Sequence, residues 1–274
     1  MTAATADDAT PAGRRRGARL LDSSVSGVSP WIVFSLVAGP GRYVPAAVLA
    51  LALALALVTA RRLARSGASF LEPAAVVLFT VAAVAGPTVP AGGYRWLETH
   101  AAEGAGLLLV LFAGASIAVR RPFTLPYARR GTDPGYWHAP EFLRTNRVIT
   151  GFWALAFLTA AVAGAIGDLV LRNPVNLWTA WLVQVVAFVT AARFTEWYPR
   201  LVRARLGSGE PEPPVRGLLA PFVGLLIPIG VLTLVLDAAA SWFGVGLMVS
   251  GVILARALIR AEAAPTERGR RRLR

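Results

Sequence analysis

The sequence predicts an all-α fold, a polytopic integral membrane helical bundle of about eight transmembrane segments with the N- and C-termini cytoplasmic. The first observation is composition, because 55% of the 274 residues are hydrophobic and the mean hydropathy is +0.57, values typical of membrane proteins. The second is that the apolar residues form long runs separated by short polar stretches. The third is that 25 of the 28 arginines fall in every second gap between those runs, which is the positive-inside distribution of cytoplasmic loops.

The predicted segments follow from the apolar runs and from the arginines at their borders. They are residues 28–39, 43–60, 69–89, 103–119, 148–171, 177–192, 218–236 and 241–259. The first reaches only about 18 Å as a helix, against about 30 Å for the hydrocarbon core. We keep it because without it the arginines at 14–19 would lie on the wrong side. The second alternates Ala and Leu, but both are strong helix formers, so we predict a helix.

The stretches between and beyond these segments complete the predicted organisation. Residues 1–26 are a disordered basic tail, 27–206 a membrane domain of six segments, 207–216 a proline-rich linker, 217–260 a C-terminal helical hairpin and 261–274 a second disordered basic tail. Within the membrane domain, residues 90–102 are predicted to form a polar loop. Pro228 is expected to bend the seventh segment, with Pro221 as a second candidate.

The basic residues and the lack of cysteine exclude several kinds of chemistry. All 28 basic residues are arginine, so Schiff-base catalysis by lysine and the usual P-loop lysine are excluded. The chain has no cysteine, which excludes disulfides, thiolate catalysis and cysteine-ligated metals. The net charge of +13 is spread over the gaps between apolar runs, so we expect no nucleic-acid partner. No zinc motif, Gly-rich phosphate loop or nucleophile elbow is present, and we predict no catalytic residue, metal or cofactor.

The most unusual stretch is a charged and aromatic segment between two apolar runs, residues 120–147, which we call the arginine segment. It reads RRPFTLPYARRGTDPGYWHAPEFLRTNR. Arginines interleaved with aromatic rings are typical of a membrane surface, where guanidinium groups meet lipid phosphates. The predicted lipid- or phosphate-binding residues are Arg120, Arg121, Arg129, Arg130, Tyr127 and Trp137.

The end of the arginine segment has the chemistry of a helix start. Pro140 suits a first-turn position, and Glu141 favours the positive end of the helix dipole. Thr145 or Asn146 would instead cap a separate membrane helix. One long helix and a surface helix followed by a spanning one both remain open.

A short pattern, F-T-x-x-Y-x-R, occurs twice. Phe123–Arg129 and Phe194–Arg200 share it, and each follows an apolar run on the predicted inner face. A true repeat would indicate two related helix pairs, as in many transporters. Four matched residues are also expected from chance and shared interface composition, which is the interpretation we favour.

Polar residues inside apolar segments are candidates for a binding or transport path, because burial without a partner is expensive. Gln184 lies in the middle of segment six, and Asp168, Asp237 and Glu103 lie at outer segment ends, where they would form an acidic mouth. A single interhelical hydrogen bond and ordinary interfacial carboxylates are the simpler interpretations. Glu72 is expected to pair with a loop arginine or to sit in a helix first turn. His100 and His138 fall on opposite sides, so they share no metal site.

The run from Phe123 to Phe157, FTLPYARRGTDPGYWHAPEFLRTNRVITGFWALAF, carries a family resemblance. It resembles bacterial membrane proteins grouped with the intracellular septation protein A family, in which F-T-x-x-Y-A-R, a tryptophan-containing linker and T-N-x-V-I-T-x-x-W occur together. The resemblance extends over residues 25–200 and excludes the last two apolar segments. It implies an inner-membrane protein with a part in envelope or septum maintenance, and it brings no site residues.

Three functions are compatible with these observations. The first is a non-enzymatic envelope protein of the bacterial plasma membrane that organises anionic lipid or membrane partners through its arginine and aromatic surface. The second is a small-solute transporter or channel using the buried polar residues. The third is a membrane enzyme acting on a lipid phosphate, for which the arginine segment offers only Asp133, Glu141 and His138 as acid or base. The expected partners are the lipid bilayer and either a second copy or another membrane protein.

Overall fold

A computed structural model describes residues 23–64, 70–207, 209 and 211–263. Within these residues all regular secondary structure is helical, which confirms the all-α class. The α-helices are α1 (Ser24–Val37), α2 (Tyr43–Leu63), α3 (Leu71–Thr88), α4 (Ala91–Ala118), α5 (Leu125–Arg130), α6 (Pro140–Ala165), α7 (Val183–Arg205), α8 (Arg216–Val235) and α9 (Ser241–Ala263). A 3₁₀ turn covers Pro134–Tyr136, and π-helical turns cover Ile166–Val170 and Trp178–Leu182.

Six helices in the described part of the chain are long and apolar enough to cross a membrane. They are Tyr43–Leu63, Leu71–Thr88, Ala91–Ala118, Pro140–Val170, Arg216–Val235 and Ser241–Leu258. These helices indicate a multi-pass membrane protein. The other two predicted segments do not meet these criteria, since α1 has only 14 residues and α7 carries five charged residues from Arg193 onward. The count of eight spans therefore remains a prediction.

Helix α1 starts inside the stretch expected to be the N-terminal tail. Ser23 caps it, because the Ser23 side chain accepts a hydrogen bond from the Val25 backbone N–H at 3.0 Å, which satisfies a free donor of the first turn. The rest of that tail, residues 1–22, lies outside the described residues. Helix α1 buries Trp31 and Phe34 against Phe79 of α3, with ring centroids 5.4 and 5.1 Å apart.

The alternation of Ala and Leu in α2 forms a helix with one alanine face. Ala46, Ala50 and Ala54 repeat at four-residue spacing and are fully buried, while Leu49 and Leu55 are exposed. A helix places residues four apart on the same side, so the alanines let α1 and α3 pack closely on α2.

The predicted loop at 90–102 is wrong, because these residues form the first three turns of α4. The stretch has no apolar periodicity to indicate a helix. Contacts with α2 and with the turn before α2 stabilise the helical conformation. Tyr94 packs edge-on against Tyr43 at 6.0 Å, and Glu98 accepts a hydrogen bond from the Gly41 backbone N–H at 2.8 Å. Tertiary contacts of this kind override weak local signals.

Helix α6 is one continuous helix from Pro140. Of the two alternatives for this region, the structure therefore has one long helix and not a surface helix followed by a spanning helix. Pro140 occupies the first turn and Glu141 is the acidic residue there, as the helix-start chemistry predicts. Helix α6 packs along α4, where Gly106 of α4 allows close approach to Ala161.

The chain forms two compact units, the first ending at Val175 and the second beginning at Asn176. The first unit contains α1–α6, and the second contains α7–α9, whereas the sequence grouped α7 with the preceding segments. In the second unit α8 and α9 pack on each other, with close approach at Gly230, Gly244 and Gly251. Helix α8 continues through both Pro221 and Pro228. Helix α9 extends to Ala263, and the rest of the predicted C-terminal tail lies outside the described residues.

Candidate functional site

The antiparallel course of the first unit brings the start of α1, the end of α2, the start of α3 and α5 to one end of the bundle. The arginine segment belongs to this end, which we call the arginine end. Two groups of buried polar contacts dock the segment onto the helices there.

The first group is centred on a buried ion pair. Arg61 in the last turn of α2 and Glu72 in the first turn of α3 are 2.8 Å apart, from Nη2 to Oε1, and their side chains are only 7% and 2% exposed. The Tyr127 hydroxyl of α5 donates to the same carboxylate oxygen at 3.0 Å. Arg61 also donates to Ser26 Oγ of α1 at 2.8 Å. The ion pair expected for Glu72 is therefore present, with a helix-end arginine as partner, and it joins four helices.

Gly27 makes room for this group. A Cβ at Gly27 of α1 would overlap the hydroxyl group of Tyr127, so only glycine allows the tyrosine to reach Glu72 at this packing distance. The Arg61 guanidinium carbon also lies 5.1 Å from the centre of the Tyr127 ring, within the range of cation–π attraction. Both the hydroxyl group and the ring of Tyr127 are thus engaged in the interior.

The second group fixes the start of the arginine segment to α6. Thr124 Oγ1 lies 3.1 Å from the Asn146 backbone oxygen and 2.9 Å from Thr150 Oγ1. The Phe123 backbone N–H donates to Ser116 Oγ of α4 at 3.2 Å, and the Phe123 ring packs against Phe112 at 5.9 Å. Because all these polar groups are buried and bonded, they hold the segment in one arrangement.

Most of the residues that define the two motifs of the resemblance are buried. They are Phe123, Thr124 and Tyr127 of the first motif and Thr145, Asn146, Ile149, Thr150 and Trp153 of the second. Sequence reasoning singled out none of the polar contacts of Thr124, Asn146 or Thr150. A signal was present, because Asn146 and Thr150 share a helix face with the apolar Trp153 and Phe157. A polar residue on an apolar face needs an internal partner.

The structure separates the six predicted lipid-binding residues into three environments. Arg120 and Arg121 are exposed after α4, with Arg120 in the left-handed region at φ 59°. Arg129, Arg130 and Trp137 are half-buried. The Arg129 guanidinium carbon lies 5.3 Å from the centre of the Trp137 ring, and that of Arg130 lies 5.2 Å from the centre of the Tyr127 ring. Tyr127 is buried, so its side chain supports the surface from inside and does not form part of it.

The four residues predicted for a transport path do not gather in one unit. Glu103 and Asp168 lie in the first unit and interact electrostatically. Glu103 packs against Gly164 of α6, and it lies well inside α4 because that helix begins at Ala91. Gln184 and Asp237 belong to the second unit. Gln184 is buried in the first turn of α7, and Asp237 is exposed after α8.

The described residues contain no group of three or more His, Cys, Asp and Glu side chains arranged to hold a metal ion. Comparisons with protein-family models, with curated proteins and with solved structures give no match to the chain.

Proposed function

We propose that this protein is a non-enzymatic multi-pass membrane protein that binds the phosphates of anionic lipids at the arginine end of its first unit. The observation that supports this most directly is the docking of the arginine segment. Buried contacts through Tyr127 and Thr124 hold its backbone, while Arg120, Arg121, Arg144 and Arg147 stay exposed. Exposed arginines on a fixed backbone bind phosphate with less loss of backbone freedom than arginines on a mobile loop.

Charge favours a lipid surface as the partner. An anionic leaflet attracts each nearby arginine by about 1 kcal/mol, and the exposed arginines of the segment are accompanied by Tyr136 at the surface. Aromatic rings beside arginines are typical of the headgroup region. Under this proposal the arginine end and both termini face the cytoplasm of a bacterial cell, and the protein serves the envelope in the plasma membrane, as the septation-protein resemblance implies. A second copy or another membrane protein would bind alongside the lipid.

The test is native mass spectrometry of the detergent-purified protein titrated with phosphatidylglycerol or phosphatidylcholine. We expect a clear preference for phosphatidylglycerol, and about a tenfold loss of that preference in the double variant Arg120→Gln, Arg121→Gln. The matched control is Arg95→Gln, Arg172→Gln, which removes the same charge from exposed positions on the predicted outer side. No preference in the wild type, or an equal loss in both double variants, would overturn the proposal.

A second candidate function, small-solute transport, is favoured by the environment of Glu103. Its Oε2 atom is buried and accepts no hydrogen bond from the described residues, and Gly164, which Glu103 contacts, is one turn before Asp168. Burial of a carboxylate within an apolar helix is costly, so a residue of this kind is a candidate for a functional role. Proteoliposome flux of cations or protons tests it, with Glu103→Gln expected to abolish the flux and Glu212→Gln, at an exposed position outside the predicted path, expected to leave it unchanged. Absence of any flux in the wild type would remove this candidate.

A further inference from the structure

The turn that follows α5 holds the indole of Trp137 in a fixed orientation. The Trp137 Nε1–H donates to the Thr132 backbone oxygen at 3.0 Å, and the Thr132 hydroxyl donates to the Ala128 oxygen of α5 at 2.9 Å. Asp133 closes the turn between them by accepting a hydrogen bond from the Gly135 backbone N–H at 2.8 Å. The ring is therefore tied to the end of α5 by consecutive local contacts.

Arg129 lies over this fixed ring. Its guanidinium carbon is 5.3 Å from the ring centre, a distance at which the positive charge is attracted to the face of the indole. Contact with a ring uses the flat face of a guanidinium group and not the N–H bonds along its edge, which are the donors that bind phosphate. The Arg129 Nε atom is buried without a hydrogen-bond partner among the described residues, so in this arrangement the Nη groups are the donors through which Arg129 would bind a phosphate.

The neighbouring aromatic residue has no such role. Tyr136 is 66% exposed, and no arginine among the described residues stacks on its ring. Variants of these two adjacent residues can therefore distinguish two ways in which an aromatic residue assists lipid binding. Tyr136 offers only direct insertion among headgroups, whereas Trp137 offers support to a charged neighbour.

We propose that Trp137 is a positioning residue, which holds Arg129 ready to bind the phosphate of an anionic lipid headgroup and does not itself bind the lipid. This inference rests on the proposed function and specifies how the arginine end achieves it. An arginine held in one conformation loses less rotamer freedom on binding. The contribution of Trp137 must therefore disappear when Arg129 is absent.

A double-mutant cycle measures that dependence. The dissociation constant for short-chain phosphatidylglycerol is determined by native mass spectrometry for the wild type, Trp137→Leu, Arg129→Gln, the double variant and the control Tyr136→Leu. We expect Trp137→Leu to weaken binding about threefold and the double variant to bind as Arg129→Gln does. Trp137→Phe, which keeps an aromatic face, is expected to restore most of the loss, and Tyr136→Leu to change the constant less than Trp137→Leu.

Several outcomes would overturn the inference. If the effects of Trp137→Leu and Arg129→Gln multiply, the indole contacts lipid directly. If Trp137→Leu changes nothing while Arg120→Gln, Arg121→Gln weakens binding, the proposed function stands without this role for Trp137. A wild type that shows no preference for phosphatidylglycerol removes the proposed function as well. Displacement of the lipid by glycerol phosphate at equal concentration would assign the site to a soluble phosphate.

Discussion

Two regions of the molecule share the pattern F-T-x-x-Y-x-R and use it differently. Phe123–Arg129 lies in a turn and the short helix α5, docked by buried contacts to other helices. Phe194–Arg200 lies in the middle of α7, where Phe194 stacks on Tyr198 of its own helix at 5.0 Å. The same spacing of side chains therefore makes contacts with distant helices in one region and contacts within a single helix in the other.

The two threonines show the physical origin of the difference. Thr124 precedes α5 and reaches across to Thr150 of α6 at 2.9 Å. Thr195 is inside α7, and its hydroxyl donates to the Ala191 backbone oxygen one turn earlier at 2.8 Å, a common arrangement within helices. A hydroxyl group inside a helix can donate to the carbonyl one turn earlier, whereas Thr124 precedes its helix, makes no capping hydrogen bond there and bonds to α6 instead. The different local structures favour chance and shared composition over a true repeat.

The largest expected effect concerns two ion pairs, one that the first region contacts through Tyr127 and one that Glu196 of the second region forms. Glu72→Gln leaves Arg61 buried without a counter-charge, and we expect a loss of about 3 kcal/mol in unfolding free energy. Glu196→Gln removes the partner of Arg193, but these side chains are 61% and 47% exposed, so less than about 0.5 kcal/mol should be lost. Reversible unfolding in mixed micelles containing sodium dodecyl sulfate measures both. Similar losses would show that the first region is no more firmly anchored than the second.

Alanine substitutions at two glycines are expected to change the unfolding free energy in opposite directions or in only one of the two cases. Gly27→Ala forces a methyl group into the Tyr127 hydroxyl and should cost about 2 kcal/mol by overpacking. Gly224→Ala in α8 meets nothing within 4 Å, and it should leave stability unchanged or raise it slightly through better helix propensity. The same unfolding assay applies. A neutral Gly27→Ala would mean that Tyr127 is free to move away from α1.

The tyrosines give an effect of intermediate size. Tyr127→Phe removes one of the two donors to Glu72 Oε1, and we expect a loss of about 1.5 kcal/mol, since hydrogen bonds to charged groups are the stronger ones. Tyr198→Phe keeps the stacked ring and should change little. Crosslinking of paired cysteines introduced in α1 and α5 would report whether Tyr127→Phe also loosens the docked segment. Equal stability of the two variants would contradict the anchoring role.

The smallest difference is expected for the threonines. Thr124→Val removes hydrogen bonds to Asn146 and Thr150 and should cost about 1 kcal/mol. Thr195→Val removes a hydrogen bond to the backbone of its own helix, an arrangement that adds little to helix stability, so the effect should lie within about 0.5 kcal/mol of zero. Proteolysis within residues 131–139, at matched temperature, provides an independent measure of the first effect. A greater loss for Thr195→Val would reverse the comparison.

Much of the fold was predictable, because apolar runs and the arginines that border them can be recognised in the local sequence. Helices α2, α3, α8 and α9 lie where those runs predict. The start of α4 was not predictable, since its polar first turns are supported by Tyr43 and Gly41 in another part of the chain. The burial of Tyr127 was not predictable either, because it also depends on a distant part of the chain. An aromatic residue among arginines is typical of a surface, and its partner Glu72 lies 55 positions earlier.

The buried ion pair also has a consequence for biosynthesis. Arg61 and Glu72 end one apolar helix and begin the next, and α2 and α3 pack on each other. The two charges can therefore neutralise each other as a single hairpin enters the bilayer, which lowers the cost of placing either one there. Tyr127 leaves the ribosome 55 residues after Glu72, because chains are made from the N-terminus. The ion pair that receives the Tyr127 hydroxyl group is thus made before Tyr127 itself.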